Sequence, residues 1–435
     1  MIGIVVSRAD SASAAIGEHL LAARDWTEVE PDVHRTEGFE LRHYDEWHLH
    51  LTDVASEFAD PDSLVFASRH SGETGKLLSA HFTGNFGAAE LGGEDRDLAT
   101  PCPVAHKRVI RTLDDNAPEG WDVAMECTHH GPTTVGAPSM FVELGSSESE
   151  WGDPAGAEAV AQAILALGEE QPGAETTDET RTVVGFGGNH YAPRPTRLLL
   201  ETDVAFGHVA ADWSLEDLGL PAAHEDVIDE MFERSGAECA LFDGEHPAVE
   251  EVIEDLGYRV VSETWLRETD GRPMELVESV EDRLSTVAAG LRFGEATADP
   301  EDLLVVDIDD DLLRACHAAD LDGTVAAVAA HAVAYETEEN GNRVAGAAAF
   351  PDGAAYEAFL DDAVEMLSAE YDRVSRSDGV IEAERSTFDP ALAHEAGVPE
   401  GPKFGTLAAG EPVTVDGETV EPADVETEEI RRFRV

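Results

Sequence analysis

Two adjacent imidazoles, His129 and His130, sit in the run Met125-Glu126-Cys127-Thr128-His129-His130-Gly131-Pro132, which Gly-Pro closes. Neutral imidazole is the commonest metal ligand and a frequent general base, and here the pair comes three residues after the carboxylate of Glu126. Two further motifs share the build. Gly187-Gly188-Asn189-His190-Tyr191-Ala192-Pro193-Arg194 follows the apolar stretch Thr182–Phe186, and Gly207-His208 follows Val204-Ala205-Phe206. Earlier versions of the theme are Ser68-Arg69-His70 and His81-Phe82-Thr83-Gly84-Asn85. Imidazoles converging on one rim would bind zinc, with Glu126 or Asp212 as a further ligand or supporting group. Zinc polarises a carbonyl or acidifies a water. His129, His130, His190 and His208 are therefore the expected metal ligands, and His130, His190, Glu126 and Asn189 the expected catalytic groups. Asn189 would donate to an oxyanion; a left-handed turn explains it equally well.

Arg69, His70, Arg194 and Asn85 are the expected substrate-binding groups. Each arginine suits a phosphate bidentately, or an ordinary ion pair in so acidic a chain. His81 and Asn85 also suit a turn cap. Cys127 lacks a nucleophile motif and is expected to pack. His34, His43, His48 and His50 fall in a strand-like stretch, as surface or sheet residues. Trp121, Trp151 and Trp213 are expected in the core.

These groups need positioning, and residues 1–293 alternate strand and helix signals, the α/β pattern. Ile2–Val6 reads as a buried strand, and Asp10 to Ser13 offers caps for a helix through Ala23. Gly120–Met125, Thr182–Phe186 and Leu256–Val261 read as strands, Pro154–Leu167 and Pro221–Ser235 as helices. Residues 168–180 form a polar connector expected as a surface loop. In such folds chemistry gathers at the carboxyl ends of strands, where the histidines fall. The acidic stretch Glu295–Asp302 is the expected boundary between a 1–293 catalytic domain and a smaller α+β domain at 303–435. A hairpin is expected at Val415-Asp416-Gly417-Glu418.

The 435 residues carry 92 acidic and 28 basic side chains, a net charge of -64, with only three lysines. A hydrophobic fraction of 42% argues against a disordered acidic chain. A folded protein living at high salt fits better: at about 1 M the Debye length is only about 3 Å, so self-repulsion is screened. Repulsion of nucleic acid is screened too, so charge alone does not exclude RNA. Four cysteines with no CxxC pair argue against a zinc ribbon or disulfide scaffold. With no secretory signal layout and no apolar run of about 20 residues, a cytoplasmic protein with no membrane partner is expected.

Over roughly residues 1–290 the sequence resembles the archaeal and plant type of D-aminoacyl-tRNA deacylase. The likeness rests on Ile4-Val5-Val6-Ser7-Arg8-Ala9-Asp10, Ser68-Arg69-His70-Ser71, His81 to Gly87, Glu126 to Pro132, Phe141 to Ser146, Gly187 to Arg194 and Gly207-His208. The resemblance implies hydrolysis of the ester joining a D-amino acid to the 3′-terminal ribose of tRNA. It also implies zinc dependence and a mixed-sheet fold like those of nucleoside phosphorylases and peptidyl-tRNA hydrolases. D-aminoacyl-tRNA is then the expected partner, with no DNA, and the chain is expected as a monomer. A zinc hydrolase or phosphorylase-like enzyme of small molecules is the alternative. Residues 397–413 resemble the C-terminal glycine-proline motif of ribonuclease Z, without that enzyme's HxHxDH signature. This implies a tRNA-facing appendage; a stabilising cap is the other reading.

Overall fold

A computed structural model describes residues 1–168 and 180–435; the polar connector expected at 168–180 lies mostly outside the described residues. The chain divides into two units, Met1–Gly271 and Arg272–Val435. The first contains β1 (Ile2–Ser7), β2 (Thr27–Glu30), β3 (Val33–Thr36), β4 (Phe39–Tyr44), β5 (Ser63–Arg69) and β6 (Leu77–His81). It continues with β7 (Asp122–Met125), β8 (Ser139–Gly145), β9 (Thr182–Gly187), β10 (Ala205–Ala210), β11 (Cys239–Asp243) and β12 (Arg259–Val261).

Eight of these strands form a mixed sheet in the order β2-β3-β4-β1-β5-β8-β6-β7. Its centre, β4-β1-β5-β8, is parallel, and β6 runs antiparallel to β8. Central strands are apolar throughout, as helix-covered parallel strands must be: Ile4, Val5, Val6, Leu64, Val65 and Phe66 are fully buried. The helix Ser11–Ala23 starts at Asp10, whose carboxylate accepts from the backbone N–H of Ala12 and Ser13. The helices Pro103–Asn116 and Pro154–Ala166 pack on one another and on this sheet.

The histidine-bearing strands do not share one sheet. β9 and β10 belong to a separate parallel sheet, β10-β9-β11-β12. It packs on the helix Glu225–Ser235 around Val184, Phe186, Ile228, Met231 and Phe232. The segment 221–235, expected as one helix, begins with a 3-10 turn at Pro221–Ala223. The two sheets meet through backbone bonds: Cys127 N–H donates to His190 O and Thr128 N–H to Val209 O, both at 2.8 Å.

The second unit starts earlier than the acidic stretch suggested. Residues 272–293 belong to it because β13 (Arg292–Phe293) takes its place in a sheet formed further along the chain. That sheet adds β14 (Leu304–Asp307), β15 (Ala334–Glu338) and β16 (Arg343–Phe350) in the order β13-β15-β16-β14. β17 (Arg373–Ser377), β18 (Val380–Phe388), β19 (Val413–Val415), β20 (Glu418–Val420) and β21 (Glu426–Arg434) follow. Of these, β17-β18-β21 form an antiparallel sheet and β19-β20 a hairpin. The helices Asp310–Ala319, Leu321–His331 and Gly353–Ser368 enclose Leu312, Phe350, Phe359, Leu367, Ile381 and Phe433, an α+β core. The hairpin turns at Asp416 and Gly417, both at positive φ (50° and 93°), as a two-residue turn between twisted strands requires. The glycine-proline segment contributes Val398, Leu407 and Val413 to a small core with Ala393, Val420 and Val425.

Candidate active site

The double-histidine motif leaves β7 and turns sharply. His130 is held at a positive φ of 40°, and a side chain on Gly131 would strike the backbone of Gly92 and Gly93 at 2.2–2.6 Å. Only glycine lets the two strands of chain approach so closely. Nδ1–H of His129 donates to Cys127 O (2.8 Å), and Nδ1–H of His130 to Gly131 O (2.7 Å). A carbonyl can only accept, so each ring keeps its Nε2 for other work.

His81, at the end of β6, repeats the device: its Nδ1–H donates to Phe82 O at 3.0 Å. Its ring centroid lies 4.1 Å from that of His129 and 4.8 Å from that of His130. Its Nε2 is buried without a hydrogen-bond partner, 3.6 Å from Glu143 Oε1. One ligand atom from each of His81, His129 and His130 lies within 4.8 Å of the others. A buried orphaned nitrogen beside two imidazoles with committed Nδ1 atoms is a donor set that a divalent cation would satisfy. Cys127, His129 and His190 form a second such group, and His70, Glu126 and Glu143 a third.

Around the imidazoles stand two buried carboxylates. Glu126 Oε2 accepts from His190 Nε2–H at 2.6 Å, and Oε1 lies 3.1 Å from His70 Nδ1. Glu143, on β8, lies 3.6 Å from His70 Nδ1. Burial disfavours both charges, yet the histidines outweigh it and hold both carboxyls below their usual range, Glu143 at about 2. Burial likewise opposes charge on His70, but its two carboxylate partners raise it to about 10. His70 is thus an imidazolium at neutral pH, and its Nε2–H reaches the Tyr191 hydroxyl (3.2 Å). Burial and neighbouring imidazoles push His129 and His130 down, His130 to about 4, so both are neutral. Burial lifts the Cys127 thiol to about 12. It is a thiol 3.5 Å from His190 Nδ1, not a nucleophilic thiolate.

A cavity of about 490 Å³ opens over these groups, lined by His70, His129, His130, Glu143, His190, Ser68, Arg69, Ser71, Trp47, His48, His50 and Leu91. His129, His130 and His190, with Glu126 beneath and His70 and Arg69 in the wall, are thus brought together.

Four expected residues are placed elsewhere. His208 is fully buried inside β10 with both nitrogens spent: Nε2–H donates to Ala99 O (2.9 Å), and Nδ1 accepts from Thr128 Oγ1 (3.0 Å). A register shift between Phe206 and Val209 carries the strand on past the histidine, so His208 is a brace rather than a rim group. Arg194 donates to Phe242 O (2.8 Å) and pairs with Asp243 and Glu263, the structural reading of that arginine. Asn85 Nδ2 ties the loop carbonyls of Gly92 and Glu94. Asn189 is exposed and accepts from Tyr191 N–H (2.9 Å), a turn role.

Other residues carry more than the sequence suggested. His81 and Glu143 enter the site; His81 carried a signal, its place at a strand end before glycine, whereas Glu143 sits mid-strand with none. His48 and His50 lie in a 3-10 turn on the cavity wall rather than in a strand. Trp213, expected in the core, is 40% exposed and stacks on His190 at 6.3 Å.

A family model for D-aminoacyl-tRNA deacylases matches residues 57–261. The D-aminoacyl-tRNA deacylase of Halobacterium salinarum is 55% identical over all of this chain and 95% of its own length. Its counterpart in Halorubrum lacusprofundi is 48% identical over 100% of this chain and 97% of its own. This chain belongs to the D-aminoacyl-tRNA deacylase family. The Methanococcoides burtonii D-aminoacyl-tRNA deacylase is 30% identical over 97% of this chain and 94% of its own. Both units are therefore shared with family relatives. A crystal structure of a conserved protein of unknown function is 31% identical, with a TM-score of 0.54 over 60% of this chain and 95% of that one.

Proposed function

We propose that this chain hydrolyses the ester of D-aminoacyl-tRNA, releasing a free D-amino acid and tRNA, with zinc assisting. The observation that carries the reading is the convergence, in a member of this family, of neutral imidazoles, an imidazolium and two ionised carboxylates on one cavity. His81, His129 and His130 would hold the metal, whose contribution when bound is to polarise the ester carbonyl and acidify a water.

The chain's own groups do the rest. With Cys127 protonated, water is the attacking group. Glu126 fixes the His190 ring by its 2.6 Å bond, and His190 is the group assigned to take the proton of the attacking water. His70 keeps its positive charge against the carboxylates, and through it the Tyr191 hydroxyl is oriented as a donor for developing negative charge. Selection for the D-form belongs to the cavity wall, where an L side chain meets a clash; Leu91, 59% exposed, is an apolar wall residue.

Two coarser inferences follow. The first unit is akin to phosphorylases and peptidyl-tRNA hydrolases, supported by its mixed sheet with reacting groups at strand ends. It works in a salt-rich cytoplasm, supported by the net charge and by halophilic relatives; among the described residues no helix is long and apolar enough to cross a membrane.

The test is deacylation of matched D- and L-tyrosyl-tRNA in molar KCl, with and without chelator. Turnover of the D-form alone, lost on chelation and restored by zinc, is expected. Equal turnover of both enantiomers, or of neither, refutes the deacylase reading; indifference to a chelator that strips all metal refutes zinc assistance.

A further inference from the structure

Arg69 is the last residue of β5 and stands in the wall of the histidine cavity. Its backbone N–H donates to Asp10 Oδ2 at 2.9 Å, so the Cα is fixed by a fully buried carboxylate. Asp10 also receives the N–H groups of Ala12 and Ser13 through its other oxygen, and lies 4.0 Å from His48 Nδ1. The guanidinium carbon lies 4.4 Å from the Trp47 ring centroid and 4.5 Å from that of Trp151. Trp151 is itself tied down, its Nε1–H donating to His70 O at 2.8 Å.

The clamp has a chemical consequence. Contact with an aromatic ring engages the π-face of a guanidinium and leaves its N–H donors free to bond in its own plane. Among the described residues no ion pair of the Arg69 guanidinium with a carboxylate falls within 4.0 Å. Its N–H edge thus stays available in a chain with 92 acidic and 28 basic side chains. Arg194, Arg197, Arg234 and Arg267 all bond carboxylates. A preorganised guanidinium edge beside a catalytic cavity, with no direct carboxylate bond and only the backbone-bound Asp10 near enough to act on its charge, matches an oxyanion supplied by the substrate.

We propose that the Trp47–Arg69–Trp151 stack anchors one phosphodiester of the substrate, the 5′-phosphate of the terminal adenosine whose ribose carries the scissile ester. The inference rests on the deacylase reading and deepens it. Phosphate and ester belong to the same nucleotide, so an anchor in the cavity wall can fix the ester against the imidazoles and reduce its freedom before reaction. Direct hydrogen bonds also survive molar salt, where long-range attraction is screened. The two tryptophans are positioning residues for the guanidinium.

The experiment compares 3′-O-D-tyrosyl-adenosine with and without a 5′-phosphate, using the full chain in molar KCl. Wild type should favour the phosphorylated substrate by about tenfold or more in kcat/KM, the scale of a charged hydrogen bond. Arg69→Ala should bring that ratio close to one. Arg69→Lys, which keeps the charge and loses the flat stacking face, should fall between, mainly through KM. A structural role would lower both substrates together and leave the ratio unchanged. Adenosine 5′-monophosphate should inhibit wild type more strongly than adenosine, by a comparable factor. A wild-type ratio near one, or a ratio that survives Arg69→Ala, overturns the anchor. If Arg69→Ala does not fold, Trp47→Leu must lower the ratio, and failure to do so overturns it equally. If wild type cleaves neither substrate nor D-tyrosyl-tRNA, the deacylase reading fails. Binding of the monophosphate over adenosine, read by calorimetry, then judges the anchor separately.

Discussion

Two clefts in the first unit are built from the same ingredients. One holds His129, His130 and His190 over Glu126 and Glu143; the other, about 650 Å³, holds His246 with Asp212, Asp243 and Glu245 at or beyond the ends of β10 and β11. In the second cleft His246 simply pairs with Asp212 at 3.1 Å, and Asp212 is 61% exposed. In the first, both carboxylates are buried, three imidazoles have their Nδ1 committed to backbone carbonyls, and one Nε2 has no hydrogen-bond partner. Strand-end placement and residue type are thus common to both clefts. Burial is what separates them: charges in water are screened, whereas buried ones set each other's protonation.

The comparison breaks most sharply at the double histidine. His130→Ala should lower deacylation of D-tyrosyl-tRNA by about a thousandfold, within the span of a lost acid–base or ligand group, with the far-UV signal retained. A loss below tenfold would remove the first cleft's claim to be the reactive one. His208→Ala should do the reverse. It leaves the Thr128 hydroxyl and the Ala99 carbonyl unsatisfied and a void behind, so it should cost about 2–4 kcal/mol of stability. The folded fraction should deacylate within tenfold of wild type. Chemical denaturation in molar KCl checks the first outcome, and single-turnover rates the second.

Acid gives a smaller effect with a definite sign. Burial depresses His208 to about 3 and His106 to about 4, from an ordinary 6.5. Below pH 6.5 the unfolded chain therefore binds protons that the fold refuses. Stability is fully present above that pH and is lost as pH falls toward the folded values, at up to about 1.4 kcal/mol per unit for each ring. Melting temperatures between pH 7 and 5 should fall, and His208→Asn should flatten the slope while lowering the plateau. The smallest effect is expected in the second cleft: His246→Ala should change deacylation by less than about twofold, because an exposed pair contributes little. A large loss there would mean the two clefts cooperate.

Much of this was legible without coordinates. Met125 to Pro132 and Gly187 to Arg194 are local signals, apolar strand followed by glycine or histidine, and local sequence sets where a strand ends and a turn begins. They pointed to Glu126, His129, His130 and His190, which the fold brings together, and they identified the family. Neighbours drawn from distant segments were not legible. Glu143 is mid-strand in β8 and reaches His70 and His81 only because β8 pairs with β5 and β6. The domain boundary shifted for the same reason, since β13 is claimed by a strand some forty residues later.

The sequence by itself determined the α/β class, the acidic surface, the positions of the strand-end motifs and the family. The tertiary structure alone decided which motif residues meet. His208 has the same local build as His190, yet the bulge in β10 buries it against Ala99 and Thr128. Arg69 and Arg194 are both arginines beside a histidine motif. One lies against two indoles with no carboxylate ion pair, while the other is tied to a carbonyl and two carboxylates. A side chain's chemistry depends on its burial and on the charges near it, and those come from pairings between residues far apart in the chain.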